Sequence, residues 1–480
     1  MQYLPLLLGL PLLPLVVVCM LRWRWGFLGL LIYMPFAGVV TLALHPADFP
    51  KLLKDLLFAI PCLVMFFASG RDGLARAALP SWLGLAIALF AFVAFAQAGN
   101  PSLYDWRVAV IGLKVALLYI PLIYVAAAYC ETRADVELLM RRLLLVGLVP
   151  CLFGILCFFL AIAVGYQPLM TALYGEAARG VTQGFTRFDF GTHLGRFNST
   201  FTFAAQYGQF TLAMLVPGYA VAFGDSQARW RLLGRISLAV FVVAGLLSGS
   251  RSLFVFAPLL LLLALLVDAR ITKLLAGVLL GPLFMLAVLE LLGFDVLQLF
   301  TGVGDLAASY SQDVAVGDLL GTLAQHPLGT GTGMGTVAAR HVLPDTVRLV
   351  TVENYYAKIV LEMGVFGLLA LLALFGGILL TGFGARRQTG GTALQPVASI
   401  LFAYLLTIMV TSGKGWALDL DPVNVYFWVF AGLLLKLPRL ASPATAAAAA
   451  PQQHPFLASL RRPPVLLRPA RPGETWPPPR

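Results

Sequence analysis

Some polar and glycine-rich segments stand at the ends of long apolar runs, where burying a helix in lipid gives no reason for them. Glu353 and Asn354 open one such run, and Arg196 and Arg251 each stand just before another. The segment HPLGTGTGMG, which starts at His326, can expose backbone N–H groups to an anion. A tight turn packed on neighbouring helices needs the same glycines. These residues are the first candidates for a functional site.

Asp419 and Asp421, separated by one leucine, form a pattern that can hold a divalent cation on a sugar diphosphate. Two carboxylates that solvate a tight turn before Pro422 account for the same short pattern. The histidines lack a metal-binding spacing, and all five cysteines lie in or at the edge of apolar runs. We therefore expect no metal site and no cofactor.

The composition indicates a membrane protein. The chain has 480 residues, of which 60% are hydrophobic and 11% charged. Soluble domains carry about 25% charged residues, so this chain must take lipid as its solvent. The apolar runs are long and do not alternate with polar residues, which favours bundled helices over a barrel. The net charge of +11 is largely that of basic loops and a basic tail, so it does not indicate a nucleic-acid partner.

The apolar runs are near the ~20 residues that a bilayer requires, and they predict an all-α polytopic protein with 12 or 13 transmembrane helices. The expected spans are 4–21, 26–44, 53–69, 81–98, 108–129, 143–165, 203–224, 236–250, 252–268, 274–292, 355–380, 396–412 and 423–437. The predicted regions are N-terminal helices (1–165), a first large loop (166–202), central helices (203–292), a second large loop (293–354), C-terminal helices (355–437) and a disordered basic Pro/Ala-rich tail (438–480).

The distribution of lysine and arginine predicts which side each loop faces. With 13 spans, the loops that carry paired basic residues, such as Arg141 and Arg142, all fall on one side, which should be cytoplasmic. Both large loops then lie outside. Arg196, Arg251 and Glu353 share that outer face, although they are far apart in sequence. Arginine is disfavoured there, so the two arginines need a reason beyond snorkelling or a local ion pair.

Four patches in this order resemble the O-antigen polymerase and O-antigen ligase superfamily of bacterial polysaccharide enzymes. The patches are RFNSTF from Arg196, SGSRS from Ser248, HPLGTGTG from His326, and Glu353-Asn354 followed after nine residues by GVFG. The resemblance covers most of the second half of the chain. It implies a multi-pass protein of the bacterial inner membrane whose active site faces the periplasm.

What the resemblance implies is a metal-independent glycosyltransferase. The donor would be an oligosaccharide on undecaprenyl diphosphate, and a hydroxyl group of a glycan acceptor would attack its anomeric carbon. Partners besides the lipid bilayer would include a chain-length regulator or export machinery. Arg196 and Arg251 would hold the diphosphate. The other residues expected to bind substrate are His326, Gly329, Gly331, Gly333, Arg340, His341, Asn354 and Tyr355.

Glu353 stands where the ligases of this superfamily have a histidine proposed as the base. A carboxylate can also accept a hydroxyl proton, so Glu353 is expected to be catalytic, with His326 and His341 as substitutes. The difference favours a polymerase over a ligase that transfers glycan to lipid A core or a protein. Helix capping is an alternative role for Glu353. Lys358 and Glu362, four residues apart, should form an ion pair inside the bundle.

Two other classes of protein remain open. A transporter or flippase of lipid-linked sugars would place its ionisable groups near the bilayer midplane, often between internal repeats. A metal-dependent lipid-sugar glycosyltransferase of another fold would use Asp419 and Asp421.

Overall fold

The computed structural model describes residues 13–47, 49–176, 196–268, 316–336, 342, 352 and 354–442. The described helices belong to one compact unit that ends at Ala441. The expected span 274–292 lies outside the described residues, as do much of the two long loops and the tail beyond residue 442. Glu353, Arg340 and His341 also lie outside them, and for Arg251 only the backbone is described.

The described chain is helical throughout its regular structure. Its α-helices are α1 (Leu13–Leu21), α2 (Trp23–Tyr33), α3 (Ala37–Ala43), α4 (Ile60–Ala68), α5 (Arg71–Ala77), α6 (Ser81–Ala98), α7 (Trp106–Leu117), α8 (Leu122–Tyr129), α9 (Arg133–Val164), α10 (Tyr166–Tyr174), α11 (Ala204–Gly224), α12 (Ala228–Leu247), α13 (Arg251–Asp268), α14 (Val316–Gln325), α15 (Tyr355–Gln388), α16 (Gln395–Thr411) and α17 (Val423–Ala441). A single turn of π-helix, Asp55–Ala59, precedes α4.

The prediction of an all-α polytopic membrane protein is confirmed for the described residues. Eight spans among the described residues are long and apolar enough to cross a membrane, and a ninth is added if the pair Phe49–Ala68 and Arg71–Ala77, bent by 103°, counts as one. The sequence predicted 12 or 13. Part of the difference lies outside the described residues. The helix α11 accounts for another predicted span. It forms at 204–224, but it is not apolar enough to be counted as a membrane span because glutamine, tyrosine and glycine interrupt its apolar residues.

One end of the bundle, here called the arginine end, gathers the basic loops. Arg24 forms an ion pair with Glu131, just before α9. Within α9, Arg141 binds Asp225, at the end of α11, with its Nε 2.6 Å from the carboxylate. Lys436 of α17 donates to the carbonyl oxygen of Arg76. These contacts place Arg24, Arg76, Arg141 and Lys436 at this end of the bundle. The side of the membrane that this end faces stays a prediction.

The opposite end, here called the loop end, gathers the starts of α11, α13 and α15. The last turn of α11 meets the segment before α16, because a Cβ on Gly224 would lie 3.3 Å from the carbonyl oxygen of Ala393. The two helices pack together and are therefore antiparallel. The end of α16 meets the start of α15, where Tyr356 Oη donates to the carbonyl oxygen of Met409 at 2.6 Å.

Small residues set how closely the helices approach. A Cβ on Gly432 of α17 would lie 2.1 Å from the carbonyl oxygen of Ile123 in α8. Gly384 of α15, in contrast, has no atom within 4 Å of such a Cβ. The contact between α17 and α8 therefore depends on the absence of a side chain at 432.

We expect Gly432→Ala to destabilise the protein by about 1–3 kcal/mol, because the added methyl group forces the two backbones apart. The matched variant Gly384→Ala should be neutral or stabilising, since alanine favours helix by up to ~1 kcal/mol. Thermal denaturation of both variants in one detergent measures the difference. Equal transition temperatures for the two variants would contradict this account of the packing.

Candidate functional site

The glycine-rich segment forms a tight loop that packs against α7. Its backbone is left-handed at three glycines, with φ of 84° at Gly329, 113° at Gly331 and 99° at Gly333. A Cβ on Gly331 would lie 2.5 Å from Leu103 Cγ, and a Cβ on Gly333 would lie 2.2 Å from the carbonyl oxygen of Val108. Glycine is therefore required twice over, for its backbone conformation and for the close approach.

This loop fills a break in α15 that the sequence did not predict. Gly364, with φ of 66° and ψ of −166°, interrupts the helix. The loop satisfies the backbone groups that the break exposes. Leu361 O accepts from the Thr330 amide at 2.7 Å, Glu362 O accepts from the Gly331 amide at 3.1 Å, and the Val365 amide donates to Pro327 O at 2.9 Å. The loop and the break are one structural unit.

The break lies within the bundle rather than at its surface. Gly364 is nine residues beyond the start of α15, about 14 Å along the helix at 1.5 Å per residue. Irregular backbone at membrane depth is tolerated only where protein or water surrounds it. Thr332 supplies part of that protein contact, because its Oγ1 donates to the carbonyl oxygen of Ala94 in α6 at 2.8 Å.

The loop holds an anion, and that anion is the protein's own Glu362. The Glu362 carboxylate accepts from the Gly335 amide at 3.0 Å and from Thr336 Oγ1 at 3.1 Å. Its side chain is 1% exposed. The amides of Thr330, Gly331, Thr332 and Gly335 thus have protein partners, as in a packed turn. A role of Gly329, Gly331 and Gly333 in binding a donor stays a prediction.

Lys358 joins this carboxylate to the segment between α16 and α17. Its Nζ lies 3.7 Å from Glu362 Oε1, which confirms the expected ion pair within α15. The same Nζ also forms an ion pair with Asp419. Both α15 side chains are almost fully buried. The loop, the break and the Asp419 segment are therefore held together by one lysine.

Asp421 belongs to a second buried cluster. Its carboxylate lies 3.1 Å from Lys54 Nζ, and it accepts from Asn424 Nδ2 at 3.0 Å. The two carboxylates of the Asp-Leu-Asp pattern thus have different lysines as counter-ions, which compete with a divalent cation for them. Within the described ranges, no group of three or more histidine, cysteine, aspartate or glutamate side chains could hold a metal ion.

The patch that follows Arg196 is a buried turn. Phe197 packs edge-on against Phe158 and Tyr166, with ring centroids 5.4 and 5.3 Å away. Ser199 Oγ donates to the carbonyl oxygen of Pro150 in α9 at 2.6 Å. These contacts fix the chain at the point where Arg196, itself half-buried, enters the turn that leads into α11.

Arg251 begins α13 directly after a turn that packs on α11. Gly249 in this turn has φ of 71°, and Ser248 is fully buried. A Cβ on Gly208, in the second turn of α11, would lie 2.9 Å from Ser250 Cβ. The backbone of Arg251 therefore lies beside the start of α11, and Arg196 leads into the same start. The two arginines share the loop end.

The residues on both sides of Glu353 are anchored. Asn354 caps α15, because its Oδ1 accepts from the amides of Tyr356 at 2.9 Å and Ala357 at 3.2 Å. The N-cap of α15 is thus Asn354. Glu353 lies outside the described residues, so its role beside the helix dipole stays a prediction. The carbonyl oxygen of Val352 accepts from the indole Nε1 of Trp416. Glu353 stands between these two fixed points.

Two other residues that were predicted to bind substrate, Tyr355 and His326, lie near the glycine-rich loop and the start of α15. Tyr355 is buried beside Lys358, whose Nζ lies 5.8 Å from the ring centroid. His326 follows α14 and is half-buried, and its backbone carbonyl accepts from the Gly329 amide at 3.1 Å.

The sequence-based search missed a cluster of charged residues around Asp55. Lys54, Asp55 and Lys114 stand inside the apolar runs predicted at 53–69 and 108–129. A charge inside such a run is itself a signal of a partner or a site. Their partner Asp421 lies far away in sequence, so the cluster could be recognised only from the structure.

No family model matches this chain, and no curated protein matches it.

We expect Lys358→Met to destabilise the protein by about 3–5 kcal/mol, because it leaves the buried Glu362 carboxylate and the partly buried Asp419 carboxylate without this counter-ion. Glu362→Gln should cost less, about 1–2 kcal/mol, since its amide oxygen can still accept from the loop and Lys358 keeps Asp419. The double variant should therefore be more stable than Lys358→Met alone. Denaturation in detergent measures all three variants, and purely additive losses would show that the pair is not coupled.

Proposed function

We propose that this chain is a membrane glycosyltransferase that polymerises oligosaccharide repeat units carried on undecaprenyl diphosphate. The observation that carries the proposal is the convergence at the loop end. The Arg196 turn leads into α11 and the Ser248–Arg251 turn packs on it, while the glycine-rich loop packs on α15. These segments come from separate parts of the chain and lie toward the same end of the bundle. These are the four patches that resemble the O-antigen polymerase and ligase superfamily.

Arg196 and Arg251 bind the diphosphate of the donor in this proposal. Guanidinium groups stay charged and bind phosphate oxygens through paired N–H groups. Basic residues are generally disfavoured on the side of the membrane that the loop end is proposed to face. The presence of these two arginines there supports a specific role for them. The charge that develops on the departing lipid diphosphate is the charge they stabilise.

Glu353 accepts the proton of the acceptor hydroxyl. The hydroxyl oxygen forms a bond to the anomeric carbon, the bond from that carbon to the diphosphate oxygen breaks, and the lipid diphosphate leaves with the electron pair. The anchoring of Val352 and Asn354 supports this role, because a base must be held within hydrogen-bond reach of its proton. The lysine partners of Asp419 and Asp421 support transfer without a divalent cation.

The proposed orientation follows from the charge distribution. Basic residues favour the cytoplasmic side, so the arginine end would face the cytoplasm of a bacterium and the loop end the periplasm. Glu353 in place of a histidine favours polymerase over ligase. A ligase that transfers the glycan to lipid A core or a protein is the alternative within the same chemistry.

A transporter of lipid-linked sugars is the second candidate, and the break in α15 is the observation that favours it. Discontinuous helices commonly form the substrate sites of transporters, where the open ends of the half-helices bind ions and charged groups. Here the carbonyl oxygens of Leu361 and Glu362 are taken up by the glycine-rich loop. This occupation favours the enzyme.

The test uses the purified protein in detergent with undecaprenyl diphosphate-linked repeat units and EDTA, and follows glycan length on a gel. Wild type should produce ladders. Arg251→Ala should lower the rate by roughly tenfold to a hundredfold, since it removes charge-assisted hydrogen bonds to phosphate. Glu353→Gln should lower kcat by roughly 10²–10⁴-fold, the range of general base catalysis.

The matched control is Arg107→Ala, because Arg107 is also an arginine near the loop end but is exposed and paired locally with Asp105. It should leave the ladders unchanged. Donor that is consumed only when lipid A core is added would identify a ligase. Donor that crosses liposome membranes without turnover would favour the transporter, and loss of the ladders in EDTA would refute metal-independent transfer.

A further inference from the structure

A buried group of charges surrounds Asp55, on the π-turn that precedes α4. The Asp55 carboxylate lies 2.8 Å from Lys114 Nζ and 3.3 Å from Lys54 Nζ, and it also accepts from Tyr119 Oη. The side chains of Lys54 and Asp55 are only 5% and 4% exposed. Isolated π-turns occur frequently at functional sites.

The group is closed at its base and open at two edges. Lys54 also pairs with Asp421, at 3.1 Å. The side chain of Asp421 is 30% exposed and that of Lys114 is 34% exposed. Lys54 thus bridges two carboxylates in the interior, while one carboxylate and one ammonium group reach the surface of the bundle. We call Lys54, Asp55, Lys114 and Asp421 the Asp55 cluster.

The open edges face water rather than lipid. Lys114 lies eight residues into α7, about 12 Å from its start at 1.5 Å per residue. Charged side chains at such depth face the bundle interior or an aqueous cavity, because lipid solvates them poorly. Asp421, in the segment between α16 and α17, lies at the loop end. The partial exposure of Asp421 and Lys114 therefore indicates a polar cleft that opens toward the loop end, with the cluster at its floor.

An unsatisfied hydroxyl group lies near this floor. Tyr33 Oη is buried and has no hydrogen-bond partner among the described residues. The ring of Tyr33 packs on Phe58 of the same π-turn, with centroids 5.3 Å apart, and the hydroxyl lies within electrostatic reach of Lys54. Buried polar atoms without a partner are rare in folded proteins, and water or a ligand commonly accounts for them.

The charges of the cluster indicate which kind of ligand it suits. Two lysines and two aspartates cancel, so neither a free anion nor a cation is strongly favoured. Ammonium groups donate and carboxylates accept, and both are held close together, which suits the hydroxyl groups of a neutral sugar. The diphosphate, in contrast, is better matched by guanidinium groups such as those of Arg196 and Arg251.

The position of the cluster relates it to the proposed base. Trp416 holds the carbonyl oxygen of Val352, next to Glu353. Asp421 follows Trp416 by five residues, and five residues span at most about 18 Å when fully extended. Asp421 therefore lies within about 18 Å, Cα to Cα, of the tryptophan that holds Val352, a distance that an oligosaccharide can span.

We propose that the Asp55 cluster binds hydroxyl groups of the acceptor glycan and sets which of them reaches Glu353. This inference rests on the proposed glycosyl transfer. Asp421 and Lys114 contact the sugar at the two open edges. Lys54 and Asp55 hold these two side chains in place and act as positioning residues.

Thiol labelling tests the cleft without requiring turnover. All five native cysteines are buried, so a charged, membrane-impermeant methanethiosulfonate reagent should give a low background. Lys114→Cys and Asp421→Cys should react. Leu85→Cys and Leu380→Cys, at positions 74% and 78% exposed on the apolar faces of α6 and α15, should not react because lipid covers them. The repeat-unit oligosaccharide, released from the lipid donor, should slow labelling at 114 and 421.

Kinetics test the ligand. Lys114→Gln and Asp421→Asn should raise KM for the acceptor by roughly tenfold to a hundredfold, the loss expected for a hydrogen bond to a charged group. The kcat and the KM for the donor should stay unchanged. Arg107→Gln, on the same helix but outside the cluster, is the control. Thermal denaturation identifies any variant that is merely unfolded. At that position, protection of the corresponding cysteine variant by the oligosaccharide then decides whether the residue contacts the sugar.

The outcomes separate this proposal from the proposed function. Turnover by wild type with an unchanged acceptor KM in both variants would overturn the acceptor subsite alone. Labelling at 114 and 421 no faster than at 85 and 380 would overturn the aqueous cleft. No turnover by wild type, together with no protection by the oligosaccharide, would overturn both proposals.

Discussion

The described part of the loop end depends on how the protein binds one buried carboxylate, that of Glu362, beside a break in α15. Apolar surroundings do not tolerate an unpaired charge or an open backbone group. Glu362 therefore binds Lys358 and the amide and hydroxyl groups of the glycine-rich loop. The loop in turn satisfies the backbone groups on either side of Gly364. The loop binds the open backbone groups of the break, and Glu362 beside the break binds amide and hydroxyl groups of the loop. The helix break and the loop therefore stabilise each other.

The same electrostatic requirement connects this centre to the rest of the loop end. Lys358 takes Asp419 as a second partner, and two residues later Asp421 pairs with Lys54. A segment of only three residues thus joins the interior of α15 to the π-turn before α4. Two lysines and their carboxylates thus add directional contacts to the apolar packing of these elements, which has little directional preference. Such fixed geometry is what a site for a large, flexible lipid-linked substrate requires.

The division of charge between the two ends gives the protein its polarity. Arginines and their partners Glu131 and Asp225 gather at one end. Among the described residues of the other end, Lys54 and Lys358 are paired with neighbouring carboxylates. Arg196 precedes the turn that leads into α11, and Arg251 begins α13, so both belong to the loop end. In the proposed function, the donor diphosphate is the anion that they bind.

The sequence by itself determined the all-helical fold, the gathering of basic loops, the Lys358–Glu362 pair and the need for glycine in the 326–335 loop. Each of these follows from local composition or from spacing along one helix. Only the tertiary structure decided that the loop holds Glu362, that α15 is broken at Gly364, and that Asp419 and Asp421 pair with different lysines. These features depend on contacts between residues distant in sequence. Hydropathy and helical period record which residues avoid water, but they do not record which buried charge meets which partner.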